Sequence, residues 1–378
     1  MGNKFERRQK ESKHIKQNSN ASSLNKDSES TIDSLDLSQA EIDIEDNTSS
    51  LLNQQYKSSI DINDFKIEKQ IGTGAFSKVY LLKNKENYYA LKAISKAKST
   101  EKSIDSLRNE KKIMEMISHP FLAQFYGSYQ DEENIYFLMD YIKGKELYYV
   151  LKEHKHFSEK ETKFYLAEIF SVLQYLHSHN IIYRDLKAEN IIIDSDGHIK
   201  LIDFGISKIL SKKTLHRTNS FKGTFEYIPP EAINQNASYS FGFDWWSFGV
   251  LMYKMLTGKF PFESKDATEL LYSIKYKEID IMNDKNLKKV SGEGKDLLRR
   301  LLTKKEEERI NCDDIIEHAW FKSVNFGKVE NKEVKAPIKP KLSHKEKQLH
   351  NVDTNIIFQN GKNNDKNNVN KAQWFKGF

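Results

Sequence analysis

The chain has 378 residues, a net charge of +6, one cysteine and 38% apolar residues. That is room for one large two-part domain with tails, and the mild positive charge shows no basic stripe interleaved with aromatics, which excludes a nucleic-acid binder. No run of about 18 apolar residues occurs, the start is polar, and Cys312 has no partner for a disulfide, so an intracellular chain is expected.

Residues 1–60 are rich in Ser, Asn, Lys, Asp and Glu and carry too little apolar surface to offset ordering entropy, so they read as a disordered tail. The tail begins basic (Lys4, Arg7, Arg8, Lys10, Lys13, Lys16) and turns acidic from Asp27 to Asp46. From Phe65 the texture changes. Phe65–Ile71, Val79–Leu82 and Tyr88–Ile94 read as strands, Ser103–Met116 as a helix, and Leu122–Tyr129 and Ile135–Tyr141 as two more strands. Helices dominate thereafter. Ser158 and Glu161 form a capping box ahead of the apolar face Leu166, Ile169, Leu173, Leu176. Asp244–Thr257 is stopped by Gly258, and Asp266–Tyr276, Glu293–Leu302 and Asp313–His318 follow. A β-rich start and a helical remainder predict an α+β fold of two lobes, 65–141 and 144–321, with a cleft between them. Residues 322–378 form a polar tail ending in Trp374, Phe375 and Phe378.

Four features carry chemistry. Gly72-Thr-Gly74-Ala-Phe-Ser77-Lys-Val79 is a glycine-rich turn whose backbone N–H groups can approach phosphate oxygens, although a plain hairpin would look the same. Lys92 sits in an apolar strand; it either snorkels to solvent or pairs with Glu110 of the following helix to grip phosphates. The strongest signal is Tyr183-Arg184-Asp185-Leu186-Lys187-Ala188-Glu189-Asn190, with Asp203-Phe204-Gly205 beginning thirteen residues after Asn190. Phosphoryl transfer needs a carboxylate at the attacking hydroxyl (Asp185), oxygen ligands for a divalent cation (Asn190, Asp203) and a cation by the γ-phosphate (Lys187). ATP with Mg²⁺ or Mn²⁺ is therefore expected. Turn capping would explain one such motif, but not the whole series at this spacing.

These motifs resemble the eukaryotic protein kinase family, and Gly223-Thr-Phe225-Glu-Tyr227-Ile228-Pro-Pro230-Glu231 is similar to the end of its activation segment. The resemblance runs from about Phe65 to Phe321. It implies that Glu231 pairs with Arg309, and that Asp244 braces the catalytic loop. It also implies a nucleotide site formed by Ile71, Gly72, Thr73, Gly74, Ala75, Phe76, Ser77, Lys78, Val79, Ala90, Lys92, Met139, Asp140, Tyr141, Ile142, Glu146 and Ile192. Met114, Phe125, Tyr183 and Phe204 would stack between the lobes. Tyr183, the Asp244-Trp-Trp-Ser-Phe-Gly249 run, Lys335–Lys341 and Phe375-Lys-Gly-Phe378 resemble the AGC group, which includes cAMP-dependent kinase catalytic subunits.

That resemblance implies a serine/threonine protein kinase acting on protein substrates. Ser220 would be its activation phosphosite, and Glu146, Glu189, Phe221, Phe225 and Ile228 its substrate contacts. A regulatory subunit or upstream activating kinase is an expected partner. A cytoplasmic location follows, nuclear or peripheral to a membrane as alternatives, the last only if Gly2 is acylated. The chain departs from the family pattern at Ala188, Phe225 and Pro229, and above all at Lys254, where the cAMP-dependent kinases carry an acidic residue. A preference for an arginine three residues before the acceptor is expected, and one two residues before is in doubt. Asn219, Lys259 and Glu263 replace aromatic docking residues. A pseudokinase scaffold would lack Lys92, Asp185 or Asp203. A small-molecule phosphotransferase would lack the Gly223–Glu231 segment.

Overall fold

The computed structural model describes residues 65–74, 77–97, 99–211, 224–233 and 238–341. Strands β1 (Lys66–Thr73), β2 (Ser77–Asn84) and β3 (Asn87–Ser95) come first, then helix α1 (Glu101–Met116), then β4 (Phe125–Gln130) and β5 (Asn134–Asp140). They build an antiparallel sheet in the order β1-β2-β3-β5-β4. The expected strands are all present, with ends shifted by one to three residues. Leu122 stands apart from β4 and makes an isolated bridge to Leu201 instead.

Alternation along β3 decides what each face does. Leu91 and Ala93 join Phe65, Ile67, Tyr80, Leu82, Tyr136 and Leu138 in an outer apolar cluster. Ala90 and Lys92 therefore point to the other face, where Leu81 and Met139 flank Ala90, and Val79 and Phe137 flank Lys92. Val79, Ala90, Lys92 and Met139 thus share one face of the sheet.

Helix α1 starts at a reciprocal capping box: Thr100 Oγ1 accepts from Ser103 N, and Ser103 Oγ accepts from Thr100 N. It buries Ile104, Glu110, Ile113 and Met114. The main core then runs without a break from Ile104, Ile113 and Phe137 into the helical lobe.

Short β6 (Gly144–Glu146) leads into α2 (Leu147–His154) and α3 (Glu159–Ser178). The Ser158–Glu161 capping box forms as the sequence indicates. Next come β7 (Ile181–Ile182), β8 (Ile191–Asp194), β9 (Ile199–Leu201) and β10 (Lys208–Ile209), with β6-β8-β9 in one small sheet and β10-β7 in another. Gly144 is required where it stands, since a Cβ there would lie 2.2 Å from the Ile193 carbonyl oxygen.

Helix α4 (Gly242–Thr257) is buried nearly all round and forms the centre of this lobe. It ends at Gly258 in the left-handed conformation (φ 74°), which glycine adopts without strain. Helices α5 (Ala267–Tyr276), α6 (Gly292–Leu301), α7 (Cys312–Ile316) and α8 (Phe326–Glu330) complete the lobe. The segment Lys335–Lys341 lies along it: Ala336 and Ile338 are buried, and the Ile338 carbonyl accepts from Tyr165 Oη at 3.4 Å. Among the described residues, no helix is long and apolar enough to cross a membrane.

Candidate active site

The sheet face bearing Lys92 meets α1. Lys92 Nζ donates to Glu110 Oε1 at 2.7 Å and to Asp203 Oδ1 at 3.3 Å, so three segments far apart in sequence converge on one ammonium. Burial alone would lower the Lys92 pKa, but the carboxylates of Glu110 and Asp203 outweigh it and hold the pKa above the usual lysine value. Glu110 is buried, and burial raises its carboxyl against the opposing pull of Lys92. For Asp203, burial would raise the pKa, but Lys92 and the Gly205 N–H prevail and keep it low. Gly205 leaves room for this gathering, since a Cβ there would sit 3.2 Å from Asp203 Oδ1. Asn109, one residue before Glu110, donates to the Ser207 carbonyl at 2.7 Å and ties α1 to the chain after Gly205.

The loop after β7 carries Asp185. Its carboxylate accepts from Lys187 Nζ (2.9 and 2.8 Å), from Asn190 Nδ2 (2.7 Å) and from Thr224 Oγ1 (3.4 Å). Lys187 Nζ also donates to Thr224 Oγ1 at 3.1 Å. Thr224 was not singled out from the sequence, although it lies within the Gly223–Glu231 segment.

Two residues in this region hold backbone conformations that side chains rarely adopt: Arg184 (φ 66°) and Asp203 (φ 67°). Arg184 is restrained by Asp244, which is fully buried at the start of α4. Asp244 Oδ1 accepts from Arg184 N (2.8 Å), while Oδ2 accepts from Tyr183 N (2.9 Å) and lies 2.8 Å from His177 Nε2. Tyr183 packs its ring on Phe204 at 5.5 Å and donates to the Ile202 carbonyl. Met114 is buried in the same core and Phe125 packs against it.

Arg309 and Glu231 pair through two bonds of 2.6 and 2.8 Å, with a third from Arg309 Nη1 to the Gly242 carbonyl. Arg184 Nε donates to the Ile206 carbonyl and Nη1 to Tyr239 Oη. Lys208 lies close by, its pKa lowered by burial and by the Arg184 charge.

The remaining expected site residues are placed as follows. Gly72 and Thr73 pair with Val79 and Lys78, and Gly74 N donates to the Ser77 carbonyl, closing the glycine-rich turn. Ile71 is exposed on β1. Asp140 N donates to the Gln124 carbonyl, while the Asp140 carboxylate accepts from Gln124 N and Tyr126 Oη. Tyr141 and Ile142 follow in the strand-to-strand link, with the Tyr141 ring 6.4 Å from Tyr88. Ile192 pairs with Glu146 across β8 and β6. Phe225 is exposed, but Ile228 is fully buried with Ile182, Leu210, Ala232, Tyr239 and Phe243. Packing on the helical lobe thus takes Ile228 away from the surface on which a substrate contact was expected. Ala75, Phe76, Ser220, Phe221, Gly2, Phe375 and Phe378 lie outside the described residues.

The donor set can be tested against a divalent cation. Asn190 is held through its amide nitrogen and Asp203 through Oδ1, which leaves Asn190 Oδ1 and Asp203 Oδ2 as oxygen ligands. One carboxylate and one amide oxygen suit Mg²⁺, which takes its remaining ligands from phosphate and water.

A small antiparallel lobe with a lysine bridged to two carboxylates, facing a loop of Asp, Lys and Asn, is the architecture of a nucleotide-dependent phosphotransferase. The chain belongs to the protein kinase domain family, whose model matches residues 65–321. It is 40% identical over 288 residues to a probable serine/threonine-protein kinase of Dictyostelium discoideum, covering 75% of this chain and 62% of that one. It is 37% identical to the cAMP-dependent protein kinase catalytic subunit of the same organism (75% and 43% covered). With cAMP-dependent protein kinase type 3 of Saccharomyces cerevisiae it shares 35% (74% and 70% covered). The cAMP-dependent kinases belong to the AGC group, the group the sequence resembles. The chain spans 62% and 59% of the lengths of two Dictyostelium relatives it matches. Family membership implies use of ATP and a divalent metal.

Proposed function

We propose that this chain is a serine/threonine protein kinase that transfers the γ-phosphoryl group of ATP to a protein hydroxyl. The observation that carries the reading is the Lys92 ammonium shared between Glu110 and Asp203, because it joins sheet, helix and catalytic loop region into one working arrangement. Lys92 would hold the nucleotide's phosphates, with Glu110 fixing its direction. Val79, Ala90 and Met139, on the same sheet face, would contact the base. Asp185 would accept the proton of the attacking hydroxyl, and Lys187, already bonded to Thr224, would sit beside the transferring group. Asn190 and Asp203 would hold the divalent cation, which neutralises phosphate charge when bound. The relatives' names support serine and threonine as acceptors, as does Lys187 in the loop.

Glu146 and Glu189 would read a basic residue of the substrate. Burial and then the Glu189 charge raise the Glu146 pKa, so the two carboxylates act on one region. Phosphate on Ser220 would be received by Arg184 and Lys208, whose charges already repel each other. Arg217, three residues before Ser220, matches the basic preference, so phosphorylation in trans by a second copy fits alongside an upstream kinase.

The test is transfer of labelled phosphate from Mg-ATP to an arrayed Ser/Thr peptide library, wild type beside Asp185→Asn and Lys92→Met. Both variants should fall below a tenth of wild-type turnover, because groups placed at the reacting atoms are worth several kcal/mol, and Asp185→Asn should keep its ATP affinity. Turnover above a tenth in either would overturn the assigned roles. Mass spectrometry of wild type and Asp185→Asn expressed in bacteria separates self-phosphorylation of Ser220, which needs an active enzyme, from modification by another kinase.

A further inference from the structure

One buried residue joins α1 to the loop that carries Asp185, and it belongs to neither. Ser207 lies two residues after Gly205 and is 2% exposed. Its carbonyl accepts from Asn109 Nδ2 of α1 at 2.7 Å, and its hydroxyl donates to the Tyr183 carbonyl at 3.0 Å. Its N–H donates to the Phe204 carbonyl at 3.0 Å, which closes a turn over Gly205 and Ile206. All three polar groups of Ser207 are thus engaged. Asn109 immediately precedes Glu110, the carboxylate that holds Lys92, so the α1 end of this chain of bonds is one residue from the nucleotide-gripping pair.

The other end acts on a strained backbone. The peptide unit between Tyr183 and Arg184 has its carbonyl oxygen bonded to Ser207 Oγ and its N–H bonded to Asp244 Oδ1 at 2.8 Å. Turning that unit about the N–Cα bond of Arg184 is the φ of Arg184, which stands at 66°, where a side chain rarely sits. Asp244 gives this peptide plane one point of attachment, about which it can still tilt. Ser207 gives the second and removes the tilt. The pairing of Lys208 with Ile182 and the bond from Arg184 Nε to the Ile206 carbonyl hold the two segments side by side, but neither touches this peptide unit. A buried carbonyl that loses the Ser207 hydroxyl has no water to replace it, so the plane would turn to find another donor.

We propose that Ser207 is a positioning residue: through its carbonyl and its hydroxyl it couples the placement of α1, and so of Lys92, to the placement of Asp185. The proposal rests on the protein kinase reading above. Phosphoryl transfer is mostly a matter of positioning, so the grip on the nucleotide and the base at the acceptor must share one register. The two bonds lie in series, Asn109 to Ser207 and Ser207 to the Tyr183 carbonyl. A series link fails when either member is cut, and a second cut adds little. Two independent packing contacts would instead lose their effects additively.

The experiment compares wild type, Ser207→Ala, Asn109→Ala and the double variant on the full chain, with Mg-ATP and a serine peptide, after melting curves have selected folded protein. Ser207→Ala removes only the hydroxyl. Its kcat should fall about tenfold, the worth of one buried hydrogen bond, while KM for ATP and for the peptide changes by less than about twofold. Asn109→Ala should lower kcat by a similar factor, and the double variant should match the slower single one within about twofold. Hydrogen exchange needs no turnover and supplies the second readout. In Asn109→Ala the stretch from Tyr183 to Leu186 should exchange faster, although the lost bond is to Ser207 and not to that loop. Unchanged kcat in folded Ser207→Ala overturns the proposal, as does a double variant whose loss is the product of the two single losses, or unchanged exchange in Asn109→Ala. The kinase reading survives each of these. Should Ser207→Ala fail to fold, Asn109→Ala decides by its own kcat and exchange. A wild type that transfers phosphate to no peptide overturns the reading itself, and the proposal with it.

Discussion

Replacing Asp244 by Asn removes one charge and turns one oxygen into an amide donor, and the structure indicates what that costs. The carboxylate is fully buried and serves three groups: Arg184 N, Tyr183 N and His177 Nε2. The amide oxygen can replace either Oδ1 or Oδ2, and the new NH₂ then faces an N–H that has lost its acceptor. A hydrogen bond to a charged group contributes about 1.5–3 kcal/mol, so losing at least one, with a donor left facing a donor, should cost about 3 kcal/mol. For a domain of this size that is a fall in Tm of about 6–12 °C. Arg184 sits at φ 66°, a conformation that costs about 1–3 kcal/mol and survives only while its surroundings enforce it. Once the bond to Arg184 N weakens, that residue should relax and carry Asp185 with it. Turnover should therefore fall at least tenfold while the KM for ATP changes little, since the Lys92 bridge lies elsewhere. Calorimetry and steady-state kinetics on one preparation read both effects. A Tm within 2 °C of wild type (far less than the shift above), together with unchanged kcat, would refute the reasoning.

Other expectations follow from the same geometry. Arg309→Lys cannot reproduce the two parallel bonds to Glu231, so it should destabilise by about 3 kcal/mol and raise proteolysis around Glu231; a melting temperature equal to wild type would contradict this. His119 is buried, Phe121 N donates to its Nδ1, and burial lowers its pKa from 6.5 to about 4. The folded chain then refuses a proton that the unfolded chain accepts, so stability present above pH 6.5 is lost as pH falls toward about 4, by about 3 kcal/mol. His119→Gln should flatten that slope in urea titrations at pH 7 and pH 4.5, and an unchanged slope would contradict it. Deleting residues from Trp374 onward should lower both Tm and activity if Phe375 and Phe378 dock on the small lobe, and an unchanged Tm would show that they do not.

Local order was legible in the sequence because its causes are local. The apolar run Tyr88–Ile94 announced the strand that carries Lys92, the Ser158–Glu161 pair announced the start of a helix, and Gly258 marked where α4 stops. The catalytic loop could be read because phosphoryl transfer demands a fixed set of side chains within a few residues. The partners Lys92–Glu110, Glu231–Arg309 and Asp244 with its loop could be expected only by choosing among many carboxylates, with the family resemblance as guide for the last two.

Contacts between segments far apart were settled by the path of the chain. Thr224 became a clamp on Asp185 because the segment before Tyr227 returns across the loop, 39 residues from Asp185 in sequence. Ile228 looked like a surface contact, yet α4 and Tyr239 close over it, since an isoleucine gains more from an apolar cluster than from water. Lys254 showed in the sequence only as a reversed charge; the cage of Tyr148, Tyr227 and Phe260 exists because α2, α4 and the chain flanking them meet there. Sequence patterning fixes which face of an element is apolar, through its period. Which distant face it meets, and which charge ends up beside which carboxylate, is decided only when the lobes pack.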